Sequence, residues 1–141
     1  MQTGKAMKAE TREGWLRLFF AVAACSWVPH WSCHYYRLET GSSFVVGNWD
    51  FSPLDSVASL IIYGVIIGLN LSAVVTLPIR RAAALLSGVL HLIIGSLHLF
   101  RLIHPFRFEV FGHPWSQSAS FREALLVIPF GVLCLIIARR K

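Results

Sequence analysis

The chain has 141 residues, 55% of them hydrophobic and only 14% charged, whereas a soluble domain carries about 25% charged residues. That balance argues against a soluble globular protein and for an integral membrane protein. The formal net charge of +6 does not indicate nucleic acid, because the basic residues stand at the ends of apolar runs and not in one patch.

Residues 1–14 are polar, with Lys5, Lys8 and Arg12 set against Glu10 and Glu13, and read as a short cytoplasmic tail. Trp15–Val28 is apolar apart from Arg17 and Ser26. That is short of the roughly 20 residues a bilayer crossing needs. A helix over 12–31 completes the span if Arg17 snorkels inward, and Pro29 should kink or end it. Val22-Ala23-Ala24-Cys25 also looks like a bacterial lipoprotein cleavage site. The apolar core before it is brief and interrupted, so an uncleaved first helix is the preferred reading. Cys25, Cys33 and Cys134 match no zinc or redox spacing, and a Cys25–Cys33 disulfide is the conceivable pairing.

Residues 30–52 form the longest loop. Gly41-Ser42-Ser43 lies between Tyr35–Thr40 and Phe44–Val46, which permits a small hairpin. Trp27, Trp31, Tyr35, Tyr36 and Trp49 cluster there, as expected at a membrane interface. A second helix over 53–78 starts with Ser52 as N-cap, Pro53 at the first position and Asp55 at the third. Gly64 and Gly68 form a GxxxG that suits close helix packing. Ile79-Arg80-Arg81 is a very short turn, so helices two and three should be antiparallel neighbours. Helix three covers 81–103 and is stopped by Pro105. Phe106–Phe111 alternates weakly and can form a strand against the first loop. Helix four covers 120–139, opening on a Ser120/Glu123 capping box and carrying Pro129 inside. No internal repeat, low-complexity tract or second domain stands out.

The expected fold is therefore an all-α integral membrane protein: one domain, residues 1–141, with four transmembrane helices in an antiparallel bundle. Both termini are cytoplasmic, and small outer loops carry a short β-hairpin. In this orientation Lys5, Lys8, Arg12, Arg17, Arg80, Arg81, Arg139, Arg140 and Lys141 are inside, and Arg37, Arg101, Arg107 and Arg122 are outside. Nine against four agrees with the positive-inside rule and an even number of spans. The bacterial cytoplasmic membrane is the expected location.

The histidines then fall toward the outer face. His30, His34, His98 and His104 are the candidate metal ligands, because His30 and His34 share one side if helical. His91, deeper by roughly 10 Å at 1.5 Å per residue, and His98 are the candidate ligands for a haem or chlorin. Arg101 is expected to pair with Asp55 or Glu123 at the outer ends of helices two and four. Asn70 should bond toward His91 or Ser87. Asp55, Asn70, Arg101 and Glu123 thus form a structural polar network. No nucleophile–base, phosphate-loop or metalloprotease motif is present, so the enzyme reading is disfavoured. The leading expectation is an accessory or interaction subunit of a larger membrane assembly, with the bilayer, membrane-protein partners or further copies around it. The alternative is a transition-metal or haem/chlorin protein with a histidine site near the outer face.

Overall fold

A computed structural model describes residues 3–139. They are mostly helical: α1 (Thr3–Thr40), α2 (Pro53–Val75), α3 (Arg80–Ile103) and α4 (Gln117–Arg139). Three stretches, Pro53–Val75, Leu77–Ile103 and Gln117–Arg139, are long and apolar enough to cross a membrane. A small antiparallel sheet completes the fold, with strands β1 (Phe44–Val46), β2 (Trp49–Asp50), β3 (Phe108–Val110) and β4 (His113–Pro114) in the order β2-β1-β3-β4. Arg140 and Lys141, both counted among the inner basic residues, lie outside the described residues.

Several boundaries differ from the sequence reading. Helix α1 runs through Pro29 to Thr40. Proline removes one backbone bond, but Trp27, His30 and His34 around it pack on Tyr63 of α2 and hold the helix together. It ends only where Gly41 takes a left-handed φ of 68° and its N–H returns to the Arg37 carbonyl, a one-bond glycine cap. Tyr35–Thr40 is therefore helix, and the hairpin is β1–β2, turned at Gly47-Asn48. The continuous helix puts Cys25 and Cys33 about 12 Å apart along its axis, and all three cysteines are free. The cap of α2 is as expected: Ser52 and Asp55 exchange side-chain and backbone bonds. Helix α4, however, starts at Gln117, with the Ser116 hydroxyl accepting from the Ala119 N–H. Ser120 is buried one turn inside the helix, so it is not the cap.

The strand β3 does pair with β1, and its register discloses a duplication. Helix–hairpin–helix occurs twice, and the halves match at an offset of 64 positions. His34/His98, Arg37/Arg101, Phe44/Phe108, Val46/Val110, Ser52/Ser116 and Ser56/Ser120 are identical pairs. Burial follows the same offset at Phe20/Ala84, Ala23/Ser87, Ala24/Gly88, Trp27/His91 and Asn70/Cys134. Across β1–β3, Val45 faces Glu109, its own counterpart. Phe44 faces Val110, the counterpart of Val46, while Val46 faces Phe108, the counterpart of Phe44. A two-fold axis between Val45 and Glu109 generates that pairing. The chain thus contains an internal repeat that its sequence hid.

Within each half the two helices pack as a hairpin, α1 on α2 and α3 on α4, and α2 touches α3 more lightly. The α3–α4 contact is the closer one because of glycine. A Cβ on Gly95 would stand 2.5 Å from Ile128 Cγ1, and one on Gly88 2.8 Å from Leu135 Cδ2. The equivalent α1–α2 contact exchanges the sizes: Trp31 stands where Gly95 does, and Gly64 where Ile128 does. A Cβ on Gly64 would lie 3.7 Å from Trp31 Nε1, and one on Gly68 would meet nothing within 4 Å. The GxxxG of α2 is therefore not the tight crossing; Gly88, Gly95 and Gly131 are. At the end away from the sheet, Phe20, Ala73, Ala83, Ala84 and Ala138 form one apolar core with a contribution from every helix.

Candidate functional site

Beneath the sheet the duplication builds two equivalent polar clusters. In the first half Arg37, in the last turn of α1, reaches across to the start of α2. It donates through Nη1 to the Ser52 carbonyl at 3.1 Å and to Ser56 Oγ at 2.6 Å, and through Nη2 to the Phe51 carbonyl. In the second half Arg101 donates through Nη1 to the Ser116 carbonyl at 3.1 Å and to Ser120 Oγ at 2.7 Å, and through Nη2 to the Trp115 carbonyl. Each guanidinium thus ties the exit of a hairpin to the helix that follows. Both arginines are buried, and their charge is met by carbonyl dipoles in place of a carboxylate. The expected pairing of Arg101 with Asp55 or Glu123 is absent. Asp55 is engaged by Ser52 in the α2 cap, and the hairpin carbonyls lie nearer to Arg101 than any acid.

A histidine completes each cluster. His34 Nδ1 lies 3.4 Å from Ser56 Oγ, and His98 Nδ1 lies 3.2 Å from Ser120 Oγ. Each serine oxygen thus accepts from the arginine and stands within hydrogen-bond reach of the imidazole. His34 packs on Phe44 at 5.2 Å, Phe44 meets Phe108 at 5.9 Å, and Phe108 packs on His98 at 5.5 Å. Two phenyl rings related by the two-fold therefore link the two histidines.

The deeper polar group is different in each half. His91 Nδ1 donates to the Ser87 carbonyl at 2.7 Å, and its Nε2 lies 3.2 Å from Ser26 Oγ, whose hydroxyl donates to the Ala23 carbonyl at 2.8 Å. Its ring lies 4.1 Å from Trp27, its counterpart in the first half. Asn70 donates to Ser87 Oγ at 2.8 Å and to the Ile66 carbonyl at 2.8 Å, and Trp27 Nε1 donates to the same hydroxyl at 3.4 Å. The expected Asn70–Ser87 bond is thus present. Tyr63 packs against the rings of Trp27, His30 and His34.

These positions bear directly on the expected ligand sets. His30 and His34 do share one side of α1, as their spacing requires. His98 is bonded to Ser120, and His104 is exposed at the end of α3 against Phe100. Among the described residues, no three His, Cys, Asp or Glu side chains are placed to hold one metal ion. His91 has both ring nitrogens engaged, so ligation through it would require a hydrogen bond to break. His30 Nδ1 is buried without a partner, as are Arg37 Nε, Asn70 Oδ1 and Trp115 Nε1. Glu123 is half-buried in the second turn of α4. On the sheet, Glu109 is bonded by Arg107 at 2.8 and 2.9 Å, and that guanidinium holds its carboxyl below the usual range.

Sequence reasoning found His34, His98, Arg101 and Asn70 but missed Arg37, Ser56 and Ser120. A signal for them exists: His-x-x-Arg followed by Ser-x-x-x-Ser occurs twice, 64 positions apart. No family model, characterised protein or solved structure matches the chain.

Proposed function

We propose that this chain is a four-span integral membrane protein with both termini on the cytoplasmic side, acting as an accessory subunit packed into a larger membrane assembly. The bacterial cytoplasmic membrane is the location in view. One observation carries the reading: most of the buried polar side chains are spent on one another or on the backbone. Arg37 and Arg101 serve the hairpins, His34 and His98 serve the serines, and Asn70, Ser87, Trp27, His91 and Ser26 form a single network. Such networks make a bundle specific and rigid. The outward side chains are apolar instead, with Ile61, Val65, Leu71, Val75, Leu125 and Leu126 all exposed. Without a hydrophobic drive between helices in lipid, such flanks associate by packing. Counting α1 as the fourth span is supported by its packing along α2. The orientation is supported by the excess of basic residues at the end away from the sheet.

The test is purification of the full chain from its native membrane in mild detergent, with partner stoichiometry, metal content and visible spectrum all measured. A colourless, metal-free complex of fixed composition is expected. A Soret or chlorin band, or a stoichiometric metal lost in His34→Ala, overturns the accessory reading in favour of a ligand-binding one. A partner-free monomer at native expression overturns it as well.

A further inference from the structure

The end of the molecule away from the sheet has its own cavity, of about 610 Å³, between α1, the α2–α3 turn and α4. Its walls include Trp15, Phe19, Leu77 and Ile137, and its rim carries Arg12 and Arg81. A third arginine, Arg80, stands at the back, already occupied. It donates to Glu13 at 2.8 and 2.6 Å and to the Ala73 carbonyl at 2.8 Å. Glu13 is shared between Arg80 and Arg17. Arg12 and Arg81 make no ion pair among the described residues, so the rim keeps two uncompensated positive charges above an apolar, aromatic wall.

We infer that this cavity is a binding site for an anionic phospholipid of the inner leaflet: its phosphate is held by Arg12 and Arg81, and an acyl chain lies along Trp15, Phe19 and Ile137. The assignment rests on the orientation proposed above, which sets this end at the inner headgroup level. The chemistry agrees at each point. Guanidinium groups suit phosphate because their donors form a planar fork. Tryptophan favours the headgroup boundary. Basic pockets between spans on the cytoplasmic side select anionic headgroups. The Glu13–Arg80 pair joins α1 to α3 and so fixes the distance between the elements bearing Arg12 and Arg81.

The experiment is native mass spectrometry of the full chain released from detergent, titrated with phosphatidylglycerol or with phosphatidylcholine of the same acyl chains. Phosphatidylglycerol should bind with one site and phosphatidylcholine at least tenfold more weakly. At about one tenfold step per 1.4 kcal/mol and roughly 1 kcal/mol per basic contact, Arg12→Gln and Arg81→Gln should each weaken binding about fivefold, and together about thirtyfold. Leu77→Trp fills the cavity without altering charge and should also abolish the adduct, while Arg107→Gln on the sheet should change nothing. Both arginines are exposed, so circular dichroism should match the parent. Equal binding of the two lipids, or full binding by the double variant or by Leu77→Trp, overturns the assignment. So does displacement of phosphatidylglycerol by millimolar inorganic phosphate, which would mark a free-phosphate site. Partner association is measured separately: a lipid adduct without a partner sinks only the accessory reading, and a partner without the adduct sinks only this one.

Discussion

Replacing Gly95 by alanine tests the glycine-mediated crossing of α3 and α4. The new Cβ would lie 2.5 Å from Ile128 Cγ1, with Ile128 Cδ1 and its backbone nitrogen both at 3.4 Å. Carbon atoms rest at about 3.5–4.0 Å, so either Ile128 leaves its rotamer or the helices part by about 1 Å. Overpacking of this kind costs about 1–3 kcal/mol. The upper half of that range is expected, because a backbone atom stands behind the side chain. Gly64→Ala, with only Trp31 at 3.7 Å, and Gly68→Ala, in open space, should stay within about 0.5 kcal/mol of the parent. The assay is reversible unfolding of the full chain in dodecyl maltoside micelles by added dodecyl sulfate, followed by circular dichroism and tryptophan fluorescence. Ile128→Ala should rescue Gly95→Ala, the double variant exceeding the sum of the singles by about 1–2 kcal/mol. A neutral Gly95→Ala, or equal losses at Gly64 and Gly68, would refute the packing argument.

The same unfolding assay should show Arg37→Met and Arg101→Met each losing about 3–5 kcal/mol, since hairpin carbonyls and a buried serine lose their donor; lysine should not restore it, lacking the fork. A loss below about 1 kcal/mol in either would contradict the role given to these residues. Ser52→Ala should cost about 1 kcal/mol by removing the α2 cap, and a neutral result would count against that cap. Glu109 should titrate below an ordinary glutamate in an NMR pH series. Its folded value is depressed, so its contribution is complete above the unfolded carboxylate pKa and fades as pH falls through the folded one. Arg107→Gln should return the midpoint to the usual range; an unmoved midpoint would mean that Arg107 is not its cause.

How much of this was legible in the sequence depends on the kind of signal. The three strongly apolar spans and the Ser52–Pro53–Asp55 start were legible because composition and local hydrogen bonding determine them. The strand pairing of Phe108–Val110 with the first loop was legible from alternation. The continuation of α1 past Pro29 was not, since Tyr63, some thirty residues away, supplies the packing that offsets the lost bond. Nor was the partner of Arg101: a search for charge complements finds Asp55 and Glu123, whereas backbone carbonyls carry no sequence signature. The repeat stayed hidden because its matches are few and its contacts are conserved as pairs, not as positions. Trp31 with Gly64 and Gly95 with Ile128 fill the same gap with the sizes exchanged.

The duplication separates what the two halves share from what each has acquired. His34/His98, Arg37/Arg101, Ser52/Ser116, Ser56/Ser120 and Phe44/Phe108 serve a need common to both halves, fastening a hairpin onto a helix start around the two-fold. Their repetition is accounted for by architecture alone, so no separate ligand is required to explain six of the polar residues buried beneath the sheet. His30, Tyr63 and Asn70 have Ile94, Val127 and Cys134 as counterparts, and His91 has Trp27. These unmatched groups lie together along α1, α2 and α3, in contact through Trp27 and Ser87. Two of them, His30 and Asn70, carry buried polar atoms without partners. Symmetric construction cannot have required those atoms, because the other half does without them. The groups around His30 are therefore where one half departs from the other, while the paired clusters belong to the fold.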